Sequence, residues 1–123
     1  MTDETLQAEI DAKAVAPRIT PADIEANITG EHYFTAADGF AGSREFTLEA
    51  DYPLHLLTFC VLVLRNGFTV TGESACASPE NFDAEIGRKV ARANAIEKMW
   101  PLMGYSLKES LYRLHQLTKG GAA

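Results

Sequence analysis

Little in this chain can staple, span or catalyse by a familiar route. Two cysteines, Cys60 and Cys76, are too few for a disulfide scaffold. The histidines His32, His55 and His115 are scattered, and none stands at a spacing that zinc sites favour, so neither a metal nor a cofactor is expected. The longest apolar run, around 61–64, is far too short to cross a membrane. Residues 1–12 carry four acids and no cation, so no signal segment is read there. These absences make a cytoplasmic protein the expectation. Basic residues are also scarce: 11 Lys and Arg against 17 Asp and Glu give a formal net charge of -6. A general nucleic-acid binder presents a broad basic surface, and that composition weighs against one. No G-x-S-x-G elbow, Walker-type glycine loop or readable Cys/His pair occurs, so the expectation is a protein that is not an enzyme.

What is present fits one folded unit. At 123 residues with 46% apolar and 23% charged content, the chain matches an ordinary globular domain. Residues 1–17 read as a flexible arm or marginal helix, 18–117 as a single domain, and 118–123 as a disordered tail. Charge is uneven, with eleven acids and three cations in residues 1–51 and six acids and eight cations in 52–123. The simplest consequence is attraction between the two halves within the fold.

Local signals place the elements. Thr20 caps and Pro21 opens a short helix to about Ile28, with Asp23 favouring its positive end. "EHYFT" (31–35) and "REFTLEA" (44–50) look extended, and "AADGFAGS" (36–43) between them reads as a surface loop. "LLTFCVLVLR" and "FTVTGESAC" flank Asn66-Gly67, a pair suited to a two-residue type I′ turn. That turn would pair Arg65 with Phe68, Val63 with Val70, Val61 with Gly72 and Phe59 with Ser74. Cys60 and Cys76 then fall on opposite faces. The first strand of this hairpin is apolar on both faces, so it needs a third strand and a cover.

The cover is a helix over 79–100, capped by Ser78 and opened by Pro79. Phe82, Ile86, Val90, Ala93, Ile96 and Trp100 form one apolar stripe, expected to pack on the hairpin. Pro101 and Gly104 predict a break before a last helix at 106–117, which "SLKE" would cap. The predicted fold is α+β: an antiparallel sheet of three to four strands with one long helix and short terminal ones.

Two constellations stand out. Ala84, Gly87, Ala91 and Ala95 form a small-residue stripe that lets another backbone approach closely, either the chain's own last helix or a second subunit. The second reading makes this stripe an oligomer interface, with a homodimer favoured. Beside it run Glu85, Arg88 and Arg92. They make either a salt-bridged edge with a Glu85–Arg88 pair, or an anion site in which two guanidinium groups clamp a phosphate or carboxylate. His32 and Tyr33 are the other candidate ligand contacts; the plainer reading is an edge strand with one buried ring.

"CVLVLRNGFTVTGESACASPENFDAEIGRKVARANAIEKMWPLMGY" (60–105) resembles the signature of the small phage proteins named after members in phage N4 and phage Sf6. Weaker similarity extends back through "ITPADIEANITGEHYFTAADG". The resemblance implies a small cytoplasmic protein of tailed phages or prophages, with no catalytic residues to carry over. Accessory phage genes of this size often counter host defences, and the Arg88–Arg92 pair on an acidic chain without catalytic motifs points to a role exerted by binding, with a host defence protein or a small nucleotide signal as partner. The alternative is a nucleic-acid-binding module of early phage metabolism.

Overall fold

The computed structural model describes residues 4–13, 16–43 and 48–121. Its order is α1 (Glu4–Lys13), α2 (Pro21–Asn27), β1 (Ile28–Thr35), α3 (Ala36–Ser43), β2 (Leu57–Leu64), β3 (Thr69–Ala75) and α4 (Ala84–Gly121). The strands form one antiparallel sheet with β2 in the middle, and α4 lies across one face of it, an α+β arrangement. No helix among the described residues is long and apolar enough to cross a membrane.

α2 starts as its sequence dictates. The Asp23 N–H donates to Thr20 Oγ1 and the Thr20 N–H donates to the Asp23 carboxylate, a reciprocal capping box. The same T-x-x-D spacing recurs at Thr35 and Asp38, with the same two hydrogen bonds. It turns "AADGFAGS" into α3 rather than the expected loop. Extended structure in "REFTLEA" lies mostly outside the described residues.

The hairpin is real, but its register is one residue away from the expected one. The Leu64 N–H donates to the Phe68 carbonyl, which closes a three-residue loop of Arg65, Asn66 and Gly67. Only Gly67 takes a positive φ, at +90°, so the loop is not type I′. Leu62 therefore pairs with Val70, Cys60 with Gly72 and Phe59 with Glu73. A one-residue slip turns β3 over. Cys60, Leu62, Leu64 and Val70 now share the face under α4 and are buried, while Val61, Val63, Thr69 and Thr71 share the other. The two cysteines are both free.

α4 is turned over as well. The small residues Gly87, Ala91 and Ala95, followed by Met99, face the sheet and are buried. A Cβ on Gly72 would collide with the Ala91 carbonyl oxygen and the Ala95 backbone nitrogen. A glycine in mid-strand and small residues on the helix thus let two backbones touch. The small stripe is spent inside this chain, against its own sheet, which corrects its assignment to a subunit interface; Ala84, at the helix start, is exposed. The larger stripe divides: Ile86 and Val90 point outward, 60% and 43% exposed, while Ile96 and Trp100 are half-buried and packed against the core.

The helix boundaries also differ from expectation. Pro79–Asn81 forms a short 3-10 turn, and Asp83 caps α4 by accepting from the Ile86 N–H at 3.0 Å. Pro101 sits inside α4 without ending it, and no separate helix begins at Ser106. The proline lacks the N–H that would reach the Glu97 carbonyl; residue 97 is exposed, where water can take that role. Helix continues past Thr118 as far as Gly121.

Candidate functional site

Arg92 is a heavily engaged polar side chain, held by two carboxylates. It projects from α4 toward the end of α2 and the start of β1, where Glu25 and Glu31 come from the acidic half of the chain. Its Nη1 and Nη2 donate to the two oxygens of Glu25 at 3.0 and 2.7 Å, and its Nε donates to Glu31. The hydrogen bonds from Arg92 hold the Glu25 carboxyl below its usual range. The same carboxylates raise the guanidinium's affinity for its proton, chiefly through Glu25. Two acids thus neutralise one cation, leaving no net positive charge for an incoming anion. The predicted attraction between the chain's halves takes this concrete form.

Arg88 lies one turn before Arg92 and is exposed; among the described residues no hydrogen bond or ion pair engages it. The expected Glu85–Arg88 pair is replaced by Glu85–Lys89, at 3.3 Å. Arg88 shares a cleft of about 130 Å³ with Tyr33, Asp38, Thr58 and Phe82. Drug-sized ligands occupy clefts of roughly 300–1,000 Å³, so this one is small for a nucleotide. Tyr33 faces inward beside Cys60, its position partner on β2. Burial, and then the neighbouring thiol, pushes its hydroxyl pKa up to about 12.

His32 is next to Tyr33 in sequence and therefore on the opposite face of the sheet, beside Val61. The four predicted contacts do not converge. Arg88 and Tyr33 share a cleft, Arg92 is held by carboxylates, and His32 looks the other way. Among the described residues no cluster of three or more His, Cys, Asp or Glu side chains is placed to hold a metal.

Sequence reasoning missed two surfaces. The sheet face turned away from α4 carries Phe34 and Phe59, with ring centroids 5.6 Å apart, continued by half-buried Val61 and Val63. Among the described elements, α3 leans over one end of it, with Gly39 beside the Phe34 ring, and Phe34 still remains 40% exposed. The register slip conceals this face in the sequence, because the wrong register hands it Val70 and Phe68. The second surface is the outer side of α4, where Tyr112, Leu114 and Leu117 are 56%, 61% and 74% exposed.

Residues 19–111 match the family described as Phage protein (N4 Gp49/phage Sf6 gene 66). No curated protein and no solved structure matches the chain.

Proposed function

The chain belongs to the phage protein family typified by N4 Gp49 and Sf6 gene 66, and from that premise we propose that it is an accessory protein acting by binding a host protein inside the infected cell. The observation that carries this reading is the sheet face turned away from α4, where, among the described residues, Phe34, Phe59, Val61 and Val63 form a partly exposed apolar surface bordered by His32 and Thr71. Contiguous apolar patches rimmed by polar residues mark contact sites on soluble proteins. Interference with a host defence protein is the form of such binding that suits a phage accessory product in the host cytoplasm. Catalysis has no part in this reading.

A small nucleotide signal is a weaker candidate ligand. Arg92 is committed to Glu25 and Glu31, and the cleft at Arg88 is small. The nucleic-acid alternative draws support only from the short basic edge that Arg88 and Lys89 form on an acidic chain. Tagged protein recovered from infected cells, with stoichiometry measured by native mass spectrometry, tests the proposal. A host protein held at fixed ratio by the wild type and lost in a folded Val61→Lys variant is the expected result. Equal recovery by both, or calorimetric heat from nucleotides that Arg88→Ala abolishes, would overturn it.

A further inference from the structure

The outward side of α4 has a regular pattern. Ile86, Val90, Ala93, Glu97, Trp100, Gly104, Leu107, Leu111, Leu114 and Thr118 alternate steps of four and three without a slip across the helix, with Trp100, Gly104 and Leu107 half-buried and Trp100 resting partly on the core. That is the heptad spacing of a coiled-coil seam. The helix is 38 residues long, roughly 57 Å at 1.5 Å per residue, whereas the strands beneath it have seven or eight residues and span about 25 Å. Its C-terminal half therefore overhangs the sheet. There the side turned toward the hairpin loop is mixed, with Met103, Leu107, Glu109 and Arg113 among the residues lining a hollow of about 530 Å³. Of the seam leucines, Leu107 borders this hollow and is half-buried, whereas Leu111 and Leu114 are 37% and 61% exposed. Over the N-terminal half of the seam a hollow of about 660 Å³ lies between α1 and Val90, Ile96 and Trp100, and Leu6 and Ile10 of α1 are 50% and 44% exposed.

We propose that this seam binds a second copy of the chain as an antiparallel two-helix coiled coil, with the two-fold axis at the level of Leu102. In that register the layers are Val90 with the partner's Leu114, Ala93 with the partner's Leu111, and Trp100 with the partner's Gly104. Each joins a large side chain to a smaller one, as interdigitating layers require. Glu97, the one charge within the seam, meets the partner's Leu107 and comes within reach of the partner's Lys108, and symmetry forms this pair twice. A parallel, in-register pairing instead sets Glu97 against the partner's Glu97 and Trp100 against the partner's Trp100, a like-charge contact and a crowded layer. In the dimer the partner's helix takes the place of α1 over Val90 and Trp100. The interface lies on the opposite side of the helix from the small stripe and is separate from the sheet face turned away from α4.

Sedimentation equilibrium of the full chain across micromolar to millimolar concentration tests this. The wild type should fit a monomer–dimer equilibrium. Leu111→Glu should raise the dissociation constant at least about 100-fold with unchanged circular dichroism, since it places two unpaired charges in the seam. Glu97→Lys should weaken the dimer, and Glu97→Lys combined with Lys108→Glu should restore it. That rescue depends on register and not on mere fold integrity. A wild type that stays monomeric throughout, a dimer indifferent to Leu111→Glu, or a charge swap without rescue would each overturn the proposal. A monomer in which α1 amides are strongly protected from exchange would show that α1 is the seam's occupant, and would overturn it equally.

Discussion

Gly72 of β3 lies directly beneath the backbone of Ala95 of α4, so close that no side chain fits between them. The sheet and the long helix are in backbone contact there. Methyl groups cannot be accommodated by a rotamer change, because the opposing atoms belong to the main chain. Gly72→Ala should therefore destabilise the fold by about 3 kcal/mol or more, at the upper end of overpacking costs. Urea unfolding checks this; a loss below about 1 kcal/mol contradicts the close approach.

Thr58 presents the opposite case. Its side chain is buried, its Oγ1 finds no hydrogen-bond partner, and a Cβ on Gly87 would stand 3.0 Å from it. An unsatisfied buried hydroxyl costs roughly 1–3 kcal/mol, so Thr58→Val should leave stability unchanged or raise it by up to about 1 kcal/mol. A substantial loss in thermal unfolding would mean that the hydroxyl has a partner.

The Arg92 cluster predicts an acid dependence. Glu25 has its folded pKa depressed below 4.5 by Arg92, so its contribution is present above the unfolded value and is lost as pH falls through the folded one. Stability of wild type minus Glu25→Gln should be positive at pH 7 and shrink toward zero as pH falls through and beneath the ordinary glutamate range. The Glu25 side chain is 56% exposed, so screening should keep the difference modest. A difference that does not change with pH would contradict the pairing.

The two thiols should separate kinetically. Cys60 is fully buried, and burial pushes its pKa up. Cys76 is half-buried after the end of β3, its thiol donating to the Ser78 carbonyl at 3.2 Å. An aromatic disulfide reagent at pH 8 should label Cys76 alone in the native protein and Cys60 only at the rate of unfolding. Two equally fast thiols would contradict the burial of Cys60.

Elements with one dominant local signal were legible in the sequence. The Thr20 capping box, the hairpin and the need of β2 for neighbours on both sides are all set by short-range chemistry. The α3 box was equally readable, since Thr35-Ala-Ala-Asp38 repeats the spacing of Thr20-Pro-Ala-Asp23, but the glycines at 39 and 42 masked it. The hairpin register was not readable from Asn66-Gly67 alone. The pair fits a two-residue turn and a three-residue loop ending in left-handed Gly67, and β3 has too few large apolar residues to choose between them. The sidedness of α4 failed for a related reason. A large apolar stripe is usually the buried one, yet here two backbones in contact bury the small stripe instead. The signal was a pair of glycines, Gly72 in mid-strand and Gly87 in the helix, where propensity disfavours both.

The candidate site was less legible because charge spacing along one helix says nothing about acids from other elements. Arg88 and Arg92 look equivalent on a helical wheel. Glu25 and Glu31 arrive from α2 and β1 and make only Arg92 a structural clamp. His32 and Tyr33, adjacent in sequence, are divided by strand alternation.

The sidedness of α4 underlies both the fold and the proposed self-association, and nuclear Overhauser spectroscopy of the unmodified protein reads it directly. Cross-peaks from the Gly72 Hα protons to the Ala91 and Ala95 resonances, with none from the Ile86 or Val90 methyl groups to β3, are the expected pattern. Cross-peaks from the Ile86 and Val90 methyl groups to Leu62 and Val70, with Gly72 silent toward Ala95, would contradict the account.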